Sequence, residues 1–130
     1  EFHFIRQVAP HYGQALGGAD FEPHILLREG NLETDSVKFE VILAPGHSPG
    51  SICLHWHEKK AVFTGDVVFN GGIGRTDLPG GDGEQLKDSI RRLAQLELEY
   101  VLPGHGDIIV GANQVRANFR EIENFWFGYI

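Results

Sequence analysis

The chain has 130 residues, of which 42% are hydrophobic and 22% charged. This is close to the globular average and excludes a disordered or fibrous chain. With 11 Lys and Arg against 18 Asp and Glu, the net charge is −7, which argues against a phosphate-backbone reader, so no nucleic-acid partner is expected.

The chain starts at Glu1 and contains 0 Met, so it reads as a truncated or processed polypeptide. With no domain boundary in view, residues 1–130 are taken as one incomplete domain. A short helix is expected over Ala9–Leu16, before the Gly17-Gly18 break. Val37–Ala44 (VKFEVILA) alternates and then turns fully apolar, which predicts a strand stopped by Pro45-Gly46. Ser51–His57 alternates Ile52, Leu54 and Trp56 against Ser51, Cys53, His55 and His57. It predicts a second strand, with the two histidines on its polar face. Cys53 is the lone cysteine. It permits no intrachain disulfide, suits a reducing, cytoplasmic setting and is expected to be inert packing. Ala61–Thr64 completes a hairpin after the polar turn Glu58-Lys59-Lys60.

Asn70–Gly83 holds six glycines and Pro79 and reads as a loop. Asp82 and Gln85 are spaced as a capping box, and Leu86, Ile90 and Leu93 follow on one helical stripe. Tyr100–Leu102 is a short strand ended by Pro103-Gly104. Val115, Phe119, Ile122 and Trp126 mark a second amphipathic helix. The order predicts an α+β fold, an antiparallel-rich sheet with helices on one face. No apolar run approaches the roughly 18 residues of a transmembrane helix, so no membrane partner is expected.

Three segments share one layout. Val41–His47 is a strand followed by Pro-Gly-His, Ala61–Asp66 a strand followed by Thr-Gly-Asp, and Tyr100–His105 a strand followed by Pro-Gly-His. If these strands share a sheet and end on one edge, His47, Asp66 and His105 converge there. Two imidazoles and a carboxylate suit zinc, iron or manganese. A glycine before each of the three lets the chain turn sharply and keeps bulk away. One Gly-His after a strand is ordinarily just a turn; three such ends are hard to assign to turns alone.

Ala44–Ser51 (APGHSPGS), Phe63–Val67 (FTGDV), Gly74–Gly81 (GRTDLPGG) and Val101–Gly106 (VLPGHG) resemble the metallo-β-lactamase superfamily, and most closely its hydroxyacylglutathione hydrolase (glyoxalase-type) branch. The resemblance runs from about Ile25 to Asn118. It implies the C-terminal portion of an αββα sandwich. It also implies that His47 binds one metal, Asp66 bridges two, and His105 binds the second, with zinc the expected ion. The implied reaction is hydrolysis of a small thioester, such as an acyl-glutathione, by metal-bound hydroxide, with Asp66 as the catalytic residue. In the Gly-rich loop after Asp66, Arg75 and Asp77 read first as an ion pair that shapes the loop, and otherwise Arg75 is a substrate contact that helps hold a carboxylate.

The family's upstream His-x-His-x-Asp-His signature has no counterpart here. His55-Trp56-His57 has the His-x-His spacing but is followed by Glu58-Lys59-Lys60 and stands in the wrong order. Each metal would keep two protein ligands where catalytic zinc usually has three. Weak zinc binding and little activity are therefore expected of this chain alone. A missing half-sandwich would also uncover one sheet face, so this chain alone is expected to aggregate or to form a homodimer. Two other readings stand beside this one: a mononuclear iron protein like the persulfide dioxygenases, which share these segments, and a metal-free interaction domain.

Overall fold

The structure is a computed structural model, and it describes residues 26–130. The helix expected over Ala9–Leu16 lies outside the described residues. Six strands form one sheet: β1 (Gly30–Glu33), β2 (Lys38–Leu43), β3 (Ile52–Trp56), β4 (Ala61–Gly65), β7 (Tyr100–Pro103) and β8 (Ile109–Val110), in the order β1-β2-β3-β4-β7-β8. A separate two-stranded ribbon, β5 (Val68–Phe69) with β6 (Gly72–Ile73), lies inside the segment expected to be loop. Helix α1 is Gly83–Ala94, and helix α2 is Ala112–Asn124. The fold is α+β.

Every neighbouring pair in the large sheet is antiparallel except β4 with β7, which run parallel across the α1 crossover. Strands β2, β4 and β7 therefore point the same way, and their C-terminal ends lie on one edge. The expected capping contact is present: the Gln85 amide donates to Asp82 Oδ1 at 3.0 Å. This occupies one of the free amides of the first turn of α1.

The core lies between the helices and one sheet face. Leu86, Ile90 and Leu93 of α1 and Val115, Phe119 and Ile122 of α2 bury against Ile42, Cys53, Val62 and Val101. The register pairs Ile42 with Cys53, and Val62 with both His55 and Val101, so His55 belongs to this face. The expectation that His55 lines a polar face is corrected: it is 4% exposed. Cys53 is fully buried, and burial pushes its thiol up to about 12, so it is inert at neutral pH. On the opposite face Leu43, Phe63 and Tyr100 are each about two-fifths exposed, and Phe39 packs its ring against Trp56 and Phe63.

Helix α2 also clamps the ribbon. The Asn118 side chain donates to the Phe69 carbonyl at 3.0 Å and accepts from the Gly71 amide at 2.8 Å. The Trp126 indole donates to the Gly71 carbonyl at 2.9 Å. Trp126 lies in the 3-10 turn Trp126–Tyr129, just past α2. Trp126 and Phe127 pack on the core, while Phe125 stays half exposed. Asn118→Ala leaves two backbone groups of the ribbon without their partner. It is expected to cost about 2 kcal/mol in urea unfolding; an unchanged midpoint would show that water replaces the amide freely.

Candidate metal centre

The turn after β2 is pinned by α1. The Asp82 amide donates to the Gly46 carbonyl at 2.8 Å, and the Ser89 hydroxyl donates to the Pro45 carbonyl at 2.8 Å. Gly46 has φ +137°, and a Cβ there would overlap the backbone N and Cα of Leu86. Only glycine lets the turn lie this close to the helix. His47 is thereby fixed at the sheet edge. Its Nδ1 lies 2.8 Å from the Arg75 carbonyl. A carbonyl can only accept, so Nδ1 carries a proton, which leaves Nε2 as the nitrogen able to ligate in the neutral ring.

The other two turns are tied to each other. The parallel register sets Gly65 beside Pro103, and the Gly104 amide donates to the Gly65 carbonyl at 2.8 Å. Asp66 and His105, the next residues along each strand, are thus neighbours. A Cβ on Gly104 would lie 3.3 Å from Asp66 Oδ1, so the missing side chain leaves room at that oxygen. The His105 ring meets Phe69 edge-on, with centroids 5.9 Å apart.

The three side chains converge. His47 Nε2 is 3.6 Å from Asp66 Oδ2, and His105 Nε2 is 3.1 Å from Asp66 Oδ1. Each imidazole faces a different oxygen of one carboxylate. Exposure rises from His47 through Asp66 to His105, whose side chain is 74% exposed, so the centre is open on the His105 side. The donor set of two imidazole nitrogens and two carboxylate oxygens fits divalent transition cations.

The nearby polar residues divide clearly. The Arg75 guanidinium grips Asp77 with both ends, Nε to Oδ1 at 2.7 Å and a terminal nitrogen to Oδ2 at 2.9 Å. These bonds hold the Asp77 carboxyl down at about 2. The Arg75 carbonyl, with no signature in the sequence, is what orients His47. The Thr64 hydroxyl donates to the Val68 carbonyl at 2.8 Å and shapes the turn carrying Asp66. Ser48 Oγ lies 2.8 Å from Ser51 Oγ.

Residues 5–112 match the family described as the Metallo-beta-lactamase superfamily. The chain belongs to this superfamily. Among its curated relatives, it is 47% identical over 122 residues to hydroxyacylglutathione hydrolase GloC of Haemophilus influenzae, covering 88% of this chain and 58% of GloC. Among solved structures, TTHA1623 in a di-iron-bound form superimposes with a TM-score of 0.71 at 36% identity, over 90% of this chain and 58% of that one. ETHE1 from Myxococcus xanthus superimposes with a TM-score of 0.60 at 30% identity, over 78% of this chain and 52% of that one. The chain spans about half the length of the curated relatives it matches. In this superfamily chain the three convergent residues lie just past the three strand ends whose sequence motifs carry the resemblance.

Proposed function

We propose that His47, Asp66 and His105 are part of a two-metal hydrolytic centre, with zinc the expected ion and iron or manganese chemically suited. The substrate class is a small thioester such as an acyl-glutathione. The observation that carries this reading is the geometry at Asp66, where one oxygen faces each imidazole. A carboxylate shared in this way can join two cations and offset their repulsion. The likeness to GloC supports the thioester class.

When bound, such metals polarise a carbonyl and make water nucleophilic at neutral pH. The chain's own residues prepare the site for them. The Arg75 carbonyl holds His47 in one tautomer, so its Nε2 lone pair is presented without rotation. The Gly65–Gly104 hydrogen bond fixes the spacing of Asp66 and His105. Gly104 keeps the space at Asp66 Oδ1 clear of side-chain bulk. Two protein ligands per metal fall short of a complete site, so at this centre the chain alone binds zinc weakly and the complete protein supplies the remainder. A cytoplasmic location suits the reduced, buried Cys53.

Release of thiol from an acyl-glutathione by the complete protein tests the reading. Turnover that chelation abolishes and added metal restores is expected; no release with zinc, iron or manganese would overturn it. Arg75 takes part if its guanidinium exchanges Asp77 for a substrate carboxylate. Arg75→Ala is then expected to raise KM several-fold; a lowered Tm with unchanged KM would leave it the loop-shaping role alone. We also propose a homodimer through the face bearing Leu43, Phe63 and Tyr100. Light scattering of this chain should show concentration-dependent association, and a monomer at high concentration would contradict it.

A further inference from the structure

A second group of ligand-type side chains lies toward the opposite end of the sheet from His47. Glu40 of β2 pairs across the ladder with His55 of β3. His57, two residues on, opens the 3-10 turn His57–Lys59. One ligand atom from each of Glu40, His55 and His57 lies within 4.8 Å of the others. His57 Nε2 is 3.4 Å from Glu40 Oε2. That is about the N···O edge of a tetrahedron built on bonds of roughly 2.1 Å. The His55 and His57 rings lie against each other, tilted by 38°, with centroids 3.8 Å apart.

His55 supplies the independent observation. It is 4% exposed, and neither of its ring nitrogens has a hydrogen-bond partner. A buried imidazole normally has a partner for each nitrogen, so two orphaned nitrogens call for an explanation. A metal ion would engage one of them. Burial, and then the neighbouring His57, push His55 below the usual imidazole range, with Glu40 opposing.

We propose that Glu40, His55 and His57 form a separate site for a zinc-like divalent cation. It is a structural clip joining β2 to the β3–β4 turn. The carboxylate and one imidazole come from one face of the β2–β3 pair and the second imidazole from the turn that follows, and the exposed His57 side chain leaves the site open to solvent. The site shares no residue with the His47–Asp66–His105 centre and does not depend on that centre's function.

Zinc uptake by the untagged chain carrying Asp66→Ala tests it, since that substitution removes the residue common to both metals of the other centre. One equivalent of zinc is expected in competition with a chromogenic chelator, with a rise in Tm on binding. The ring C–H resonances of His55 and His57 should move together in the unsubstituted chain. Adding His57→Ala, at an exposed turn position that leaves the core intact, is expected to weaken uptake at least tenfold and abolish the Tm rise. Glu40→Gln should weaken it less. No uptake by the Asp66→Ala chain, or equal uptake with and without His57→Ala, would overturn the proposal.

Discussion

Asp66→Ala in the complete protein is expected to strip both metals and lower thioester hydrolysis by about a thousandfold or more, near 4 kcal/mol of barrier. The size follows from the sharing. His47 faces Oδ2 and His105 faces Oδ1, so if Asp66 bridges two cations as proposed, one substitution removes a ligand from each and also the negative charge between them. His105→Ala removes a ligand from one side only, and a metal content between those of wild type and Asp66→Ala is expected. Elemental analysis beside kcat/KM checks both. If Asp66→Ala kept two metals and near-normal turnover, the carboxylate would not be the bridge.

Gly46→Ala is expected to cost about 3 kcal/mol, because two effects add. The positive φ is strained for any L side chain, and the new methyl group runs into backbone rather than a movable side chain. For a chain of this length the Tm should fall by about 10 °C. Gly30 separates the two effects, since it has φ +125° but nothing within 4 Å of a Cβ. Gly30→Ala should cost only about 1 kcal/mol. The turn that Gly46 permits also aims His47, so metal affinity should fall with stability in Gly46→Ala and hold in Gly30→Ala. Equal losses in the two variants would show that contact with Leu86 is unimportant.

The long strands and both helices were legible because each spans enough residues to display a period. Lys38–Leu43 and Ile52–Trp56 lie within their expected ranges, and the Asp82 cap marked the start of α1. Strands β5, β6 and β8 have two residues each, too few for alternation to register. They exist because a partner backbone is at hand. Gly30–Glu33 (GNLE) is an edge strand with a weak β signature, recruited by its ladder with β2. Alternation also separates two sheet faces without saying which one the helices cover. His55 was therefore placed on the wrong side: Ile42, Val62 and Val101 from other strands decide the matter. At the candidate metal centre, the repeated layout of a strand, a Gly and then His or Asp is what makes the convergence of His47, Asp66 and His105 legible. The Arg75 carbonyl and the Asn118 clamp act through backbone groups, on which the sequence is silent.

Metal content and magnetic coupling in the complete protein, loaded with manganese, bear most directly on the bridging carboxylate. One exchange-coupled pair of ions per chain, apart from any ion at Glu40, His55 and His57, is expected, and Asp66→Ala should abolish the coupling. A single uncoupled ion in the unsubstituted protein, held equally well by Asp66→Ala, would contradict it.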